Sequence, residues 1–589
     1  MESPTRQFVR RAEEGHSVFL PEVRRAYRDM SEANRLDLHF FLTCLDGEVR
    51  KFALSLPLFA ACAEAEQRFV LDFVLAQTFN LLSCLGGSEL RLRFSRRCPE
   101  ADAVGKRIAS AFATEGYANA VRVADRMLAA LYPGENRRFS IAIVDEMPPC
   151  RKDSLDSDAR AADILHDAAQ GLDDKILLGV DIGGTDIKLA LAVKGRLKCV
   201  KEFDWFPTAF ISAEEFIAPI STLVRLMAAC AAEGAETDAA LTAALSRHAT
   251  VREMESALEG RGASPVLFDA IGMAFPDVVV DDRIVGGESP KTLGMRQALG
   301  DCYEQEFAEL TNLAATLGGR TKNGNAVFIV NDGSLAAFAA GVELAQVRKD
   351  AVARGVLAHS LGTDFGTGWV TAEGTIPNLP LEAYGCIIDL GSYPERNFPA
   401  NDARSINNFN HGLPGTMQKF AGQSGVFRLA MKTLPSLRPD LYAEITTKQF
   451  IVENSGELIV PTEPADMWKP FLEYLTALAS RGDCREVEDV FREVGRAIGM
   501  VSHEIDWIVK PGLKTRTLFG RLVKMARCFE LMREGAAEVN SRTEFEAADD
   551  NMANTELMRA LAIGNKHTVA QFAQAVGAVH YANSRLGVS

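Results

Sequence analysis

KILLGVDIGGTDIKLALAVKGRLKCVKEFDW, residues 175–205, holds three short apolar runs in succession, joined by tight turns. Runs of this length with β-branched residues and glycine turns read as strands, and their close succession predicts an antiparallel meander. At the tip of the first hairpin lies Asp181-Ile182-Gly183-Gly184-Thr185-Asp186-Ile187-Lys188. Glycines there permit positive φ and close backbone approach. Backbone N–H groups in such a turn can form an anion-binding concavity. Asp181, at a strand end, can hold Mg²⁺ through water, and Thr185 and Lys188 can reach phosphate oxygens. A plain hairpin with a Gly-Gly turn has the same pattern. The turn matches neither GxxxxGK[ST] nor a GxGxxG that opens a helix, so the phosphate architecture is a different one.

Two further constellations lie downstream. Gly362-Thr363-Asp364-Phe365-Gly366-Thr367-Gly368 falls between two strand-like runs and offers N–H and hydroxyl donors. Asn331-Asp332-Gly333 ends the apolar strand VFIV and precedes a helix. A carboxylate so placed can accept a proton from a substrate hydroxyl during phosphoryl transfer, or serve as a helix cap. Two glycine turns can hold one nucleotide between them.

The rest of the chain sets bounds. Its 589 residues suit about three or four domains, or fewer large lobes. A net charge of −15 argues against a general phosphate-backbone binder, so nucleic acid is not an expected partner. The eleven cysteines form no CxxC pair and no zinc spacing, which predicts reduced thiols and a cytosolic protein. No apolar signal core opens the chain, and the apolar stretch from Leu56 to Leu85 is interrupted by Glu64, Glu66, Arg68 and Asp72, so no membrane is expected.

Residues 1–150 read mainly as helix, with strand-like runs at 89–94 and 139–144 around a helix from about Glu100 to Leu131. RKDSLDSDARAAD from Arg151 reads as a linker. Ala235–Gly262 and Gln297–Leu317 read as helices, and the chain beyond Pro399 as mostly helical. The tryptophans Trp205, Trp369, Trp468 and Trp507 read as core or lobe-interface residues.

Taken together, the motifs resemble the actin-like ATPase superfamily, and within it the ROK sugar kinases. LLGVDIGGTDIKLALA looks like the first phosphate motif, and IGMAFPDVV (271–279) the sugar-side strand carrying Pro276. IVNDGSLAAFAAG (329–341) looks like the catalytic segment, and SLGTDFGTGWV (360–370) the second phosphate motif. TLFGRL (517–522) stands where the adenosine-motif glycines lie, with Gly520 alone, and AQAVGAVHYAN (573–583) resembles the last helix.

The resemblance implies an α/β fold of two ribonuclease-H-like lobes around a cleft, with a mainly helical N-terminal extension. The implied division is 1–172 for that extension, 173–345 for the first lobe and 346–589 for the second. Implied roles are Asp332 as base, Asn331 and Pro276 at the sugar, Asp181 at Mg²⁺, and Gly183, Gly184, Thr185, Lys188, Gly362, Thr363, Gly366, Thr367 and Gly520 at ATP.

The sequence also departs from the family. The zinc-binding cysteine cluster is missing, and Cys386 stands alone. IPNLPLEAYGCIIDLG (376–391) replaces the Glu-Ile-Gly-His segment, with a Pro-Asn pair like that of polyphosphate glucokinases, Glu382 as the candidate glutamate and Tyr384 near the histidine's place. SPKTLG (289–294) resembles their loop, with Lys291 matching and Glu288 in place of the usual Asn. Asp277 replaces a glycine, as a turn residue or a hydroxyl ligand, and Asp364 adds a negative charge beside a phosphate turn. The implied activity is a carbohydrate kinase with ATP or polyphosphate as donor. The alternatives are a sugar-responsive regulator and another actin-like small-molecule kinase. The leading segment reads as a packing or homo-oligomerisation module.

Overall fold

The computed structural model describes residues 3–587 apart from 60–61, 97, 147–158, 261–265, 288, 363, 393–410, 455, 463, 549–551 and 564–566. Two compact units emerge. The first joins Met1–Asp153, His359–Thr367 and Leu379–Ala547; the second joins Ser154–Ala358, Gly368–Asn378 and Ala548–Ser589. This division differs from three consecutive segments. The helix Ala161–Asp167, before the 172/173 boundary, packs in the second unit, with Leu165 against Gly341. Most of the linker segment from Arg151 lies outside the described residues.

The helices Pro4–Glu13, Leu20–Arg28, Glu64–Leu85, Pro99–Thr114 and Ala118–Leu131 make up most of the regular structure of the N-terminal region, and a sheet accompanies them. That sheet has four strands, β1 (Arg35–Thr43), β2 (Val49–Pro57), β3 (Glu89–Phe94) and β4 (Ser140–Ile143), in the order β2-β1-β3-β4. β1 pairs antiparallel with β2 and β3, and β3 pairs parallel with β4. The signal for the unexpected hairpin is in the sequence. Leu36, Leu38, Phe40 and Leu42 alternate inward, and Asp46-Gly47, with Gly47 at φ 82°, makes the turn. The expected helix 100–131 is two, Pro99–Thr114 and Ala118–Leu131, broken at Gly116, where a Cβ would strike the His411 carbonyl. The helix Glu64–Leu85 is long and apolar enough to cross a membrane, but 83% of its apolar window is buried within the protein. Its Asp72 is half-buried, and desolvation pushes that carboxyl up to about 7.

The second unit is built on β5 (Ile176–Ile182), β6 (Asp186–Val193), β7 (Arg196–Asp204), β8 (Ala270–Phe275) and β11 (Val327–Asn331). A short hairpin of β9 (Val279–Val280) and β10 (Arg283–Ile284) lies between β8 and β11. The strand order is β11-β8-β5-β6-β7. The meander β5-β6-β7 is antiparallel, as its sequence predicts, and β8 and β11 add in parallel. That is the ribonuclease-H-like order. Every residue of β8 is buried, as suits a central parallel strand. One face packs Leu178, Val180, Leu189, Ile271, Met273 and Ile329 against Phe216, Leu223, Phe307 and Leu310.

On the strands β5, β6 and β8 lies the helix Val569–Leu586. Gly179 and Gly272 allow this: a Cβ at either would collide with the carbonyl of Ala575 or Ala578. The expected helices 235–262 and 297–317 are each broken into short pieces, Ala239–Ala244 with Val251–Leu258, and Leu293–Leu299, Tyr303–Thr311 and Leu313–Gly318.

A second sheet has the order β13-β12-β16-β17, from β12 (Val356–Leu361), β13 (Phe365–Val370), β16 (Thr515–Phe519) and β17 (Glu544–Ala547). Its strand order matches that of the sheet β11-β8-β5-β6-β7 without the third meander strand, and β16 and β17 pair in parallel. A separate small hairpin joins β14 (Val452–Asn454) and β15 (Glu457–Ile459). The helices Arg485–Ile508 and Ala526–Val539 cross closely where Gly495 and Gly535 face the partner's backbone.

Gly179→Ala and Gly272→Ala are each expected to destabilise the protein by about 1–3 kcal/mol, because the helix backbone must retreat. Thermal melts check this, and an unchanged Tm in both would contradict the close packing.

Candidate active site

β5, β8 and β11 end at one edge of the sheet. The register sets Asp181 beside Ala274 and Phe275 beside Asn331, so Asp181, Pro276 and Asp332 emerge together at the C-terminal ends of three parallel strands. In open α/β sheets that edge is where ligands bind. Asp181 is half-buried, and desolvation pushes its carboxyl up to about 7. The charges of Asp332 and Asp186 act in the same direction, and Lys188, its partner across the hairpin, opposes them.

The turn after Asp181 is held from behind. The Trp205 indole Nε1–H donates to the Gly183 carbonyl at 3.0 Å, and the Trp205 backbone N–H donates to the Thr185 carbonyl at 3.1 Å. Trp205 is 4% exposed and meets Phe210 and Phe216 edge-on. The sequence marks it as core; the structure shows that it also fixes the turn. Gly183 and Gly184 do not use positive φ, contrary to expectation. Gly183 is needed for closeness, since a Cβ there would lie 2.9 Å from the Asp186 carbonyl oxygen. Gly184 and Thr185 are exposed at the tip. Lys188 is ion-paired to Asp186, so its charge is partly spent inside the hairpin.

Asn331, not Asp332, caps the helix Asp332–Ala345: its Oδ1 accepts the Ser334 N–H at 3.2 Å. Its Nδ2 donates to the Asp277 carbonyl at 3.1 Å, so the residue assigned to the sugar already makes two internal bonds. Asp332 Oδ1 accepts the Gly333 N–H at 2.8 Å. Burial pushes the Asp332 carboxyl upward, the Lys291 ammonium opposes this, and Asp277 adds to it. Lys291 Nζ points to the Pro276 carbonyl at 3.5 Å, and its Cε lies 3.5 Å from where a Cβ on Gly184 would be. Lys291 thus lies between the turn and Asp332.

The loop carrying Lys291 is tied down tightly. Asp277 accepts the N–H groups of Val278 (2.9 Å) and Gly287 (2.8 Å), which makes it a turn-closing residue. The Gly287 carbonyl accepts from Thr292 Oγ1 at 2.8 Å, Arg296 Nη1 at 2.7 Å and Tyr303 OH at 2.5 Å. Sequence reasoning passed over Arg296 and Tyr303, because a donor to a backbone carbonyl leaves no motif. Glu288 and Thr363 lie outside the described residues.

In the first unit, Gly520 at φ 108° brings its Cα within reach of Leu361, where a Cβ would lie 2.5 Å from the carbonyl oxygen. The Gly362 carbonyl accepts the Gln423 N–H, and the Gly366 N–H donates to Ser360 Oγ at 3.2 Å. Thr367 Oγ1 lies 3.0 Å from His359 Nδ1, and burial lowers that imidazole to about 3, so it is neutral. Asp364 accepts from Gln418 Nε2 at 3.3 Å and faces Lys419, which offsets its charge. Glu382 sits elsewhere in this unit, its N–H bonded to the Ser83 carbonyl. Cys386 is not alone: Cys84 Sγ lies 3.5 Å from its sulfur. In the second unit, a Cβ on Gly368 would strike the Gly333 carbonyl, so Gly368 lies against the backbone next to Asp332.

The strand order, an antiparallel meander extended by two parallel strands, is that of an α/β, ribonuclease-H-like fold. No protein-family model matches the chain, and no curated protein matches its sequence. Among solved structures it is similar to a ROK family glucokinase from Streptomyces griseus in complex with glucose and AMPPNP, at 14% identity and TM-score 0.38, over 69% of this chain and 98% of that one. It is similar also to a ROK hexokinase from Thermus thermophilus, at 17% identity and TM-score 0.36, over 70% and 100%. A glucokinase from Balamuthia mandrillaris in complex with glucose gives 12% identity and TM-score 0.38, over 72% and 98%. These are likenesses of chain path alone; the fold rests on the strand order.

The raised Asp181 carboxyl has a consequence for stability. Between the ordinary carboxylate range and about 7, the folded protein binds a proton that the unfolded chain has lost, so stability falls as pH rises through that window. Asp181→Asn removes the burden. Its Tm is expected a few degrees above the parent at pH 8, with the gap shrinking towards pH 4.5. An Asn variant that melts lower at pH 8 would contradict the placement of Asp181.

Proposed function

We propose that this protein is a carbohydrate kinase that transfers a phosphoryl group to a hexose hydroxyl, with Asp332 as general base. ATP is the donor put first, and polyphosphate the second. The observation that carries the reading is the meeting of Asp181, Asp332 and Lys291 at one sheet edge beside the Gly183-Gly184 turn.

The Asp332 carboxylate oxygen left free by Gly333 accepts the proton of the acceptor hydroxyl as that oxygen bonds to the terminal phosphorus. The bond from that phosphorus to the bridging oxygen breaks, and the bridging oxygen leaves with the nucleoside diphosphate. A base whose pKa is raised towards the working pH is better suited to this transfer than an ordinary carboxylate. Lys291, next to Gly184, is placed to favour negative charge on the transferring group and to keep Asp332 ionised.

Among the described residues no group of three His, Cys, Asp or Glu side chains could hold a metal ion. Mg²⁺ takes one or two carboxylates and completes its shell with water and substrate phosphate. Asp181 would hold it, and a cation there would relieve the repulsion from Asp332. When bound, Mg²⁺ supplies neutralisation of the phosphate charge. The glucose and nucleotide analogue named for the Streptomyces griseus enzyme are the ligand classes to try first.

Asp332→Asn is expected to lower kcat by about 10²–10⁴-fold with no loss of Tm, in steady-state assays against a hexose panel with ATP and with polyphosphate. Retained turnover would remove Asp332 from the base role. In the parent, kcat/KM is expected to fall as pH drops through the raised Asp332 pKa, and that limb should disappear in the variant. Gly184→Val, at an exposed tip whose nearest neighbour is Lys291, should raise the KM for ATP while leaving the melt unchanged; an unaltered KM would count against the turn. No product from any hexose with either donor would favour a sugar-binding regulator, a reading to which the internally bonded Asn331 lends itself.

A further inference from the structure

A cavity of about 380 Å³ opens in the first unit, lined by none of the residues assigned above. Its wall is basic. Arg24, Arg25 and Arg28 come from the helix Leu20–Arg28, and Arg542 follows the helix Ala526–Val539. His503 and Asn540 complete its polar side.

The charges there are unevenly matched. Arg24 bonds to Glu504 and Gln77, each at 2.7 Å, and lies 4.5 Å over the Trp507 ring. The Glu504 side chain has no exposed surface, so Arg24 is a neutralised, fixed wall. Arg28 meets Asp29 at 3.2 Å, but both side chains are more than half exposed, and such pairs hold weakly. Arg25 and Arg542 make no ion pair among the described residues. The segment bearing Arg542 is nonetheless anchored: Asn540 Oδ1 accepts the Arg542 N–H at 3.2 Å, and its Nδ2 donates to the Gly499 carbonyl at 3.3 Å. His503 Nε2 bonds to the Val539 carbonyl at 3.0 Å.

Three guanidiniums without a strong partner therefore face one concavity, on a chain whose net charge is −15. Like charges gathered this way repel unless an anion joins them, and the guanidinium fork matches phosphate oxygens in pairs. We propose that this cavity binds a small phosphorylated compound, with Arg25, Arg28 and Arg542 gripping its phosphate. The volume sits at the lower end of small-molecule sites, which suits a sugar phosphate or a short polyphosphate. The site is independent of the kinase reading, since none of its residues takes part in that chemistry.

Isothermal titration of the full-length protein with inorganic phosphate, tripolyphosphate and glucose 6-phosphate tests the proposal. Saturable binding is expected, weakened at least about tenfold in Arg25→Ala/Arg542→Ala and restored in part by Arg25→Lys/Arg542→Lys. Asp332→Asn should bind as the parent does, which separates this site from the candidate active site. Tightest binding of glucose 6-phosphate would identify a sugar phosphate as the ligand, and tightest binding of tripolyphosphate a phosphate chain. No saturable binding of any of the three would overturn the proposal. So would binding that ignores the double Ala substitution, or that is lost with Asp332→Asn instead.

Discussion

Asp181 and Asp332 sit close enough at one sheet edge for the charge of one to hold back ionisation of the other. Such a pairing costs folding energy, because two carboxylates are removed from water and set against each other. It is imposed by topology. Parallel strands that start level end level, and β5, β8 and β11 carry their last residues to a common line. The apolar interior of those strands supplies the stability that tolerates this repulsion.

Much of the surrounding structure keeps this edge in shape. Trp205 grips both carbonyls of the glycine turn, and the Gly287 carbonyl gathers three donors to fix the loop with Lys291. The glycines at 179 and 272 let the last helix lie directly on the sheet. None of these groups is suited to proton transfer or phosphate chemistry by itself. Their effect is to remove conformational freedom from the groups that are, and preorganised groups stabilise developing charge most.

The first unit follows different rules. Its helix Glu64–Leu85 is nearly all buried, and the polar residues Gln77 and Asn80 turn towards the buried Glu504 rather than water. Arg24 completes that set, so one buried carboxylate ties the N-terminal helices to Arg485–Ile508. An unpaired carboxylate there would be costly, and with three partners it becomes a specific fastening. The basic cavity lies against this fastening, with Arg24 as the shared residue.

From the sequence alone one could read the meander, the strands ending at Pro276 and Asn331, the helix after Asp332, the glycine turns and the carboxylates Asp181 and Asp332. All are local: apolar runs, turn glycines and strand-end acids declare themselves within a few residues. The hairpin β1-β2 was equally local in its alternation and its Asp-Gly turn, yet the surrounding helical pattern hid it. Only the tertiary structure decided that Asn331 is a cap, that Lys188 is spent on Asp186, and that Asp277 closes a turn. It alone placed Lys291 between the turn and Asp332, and four arginines around one cavity. The physical reason is that a side chain's partners are chosen by whichever distant segment folding brings near, and charge, burial and hydrogen bonding depend on that neighbour rather than on the residues adjacent in the chain.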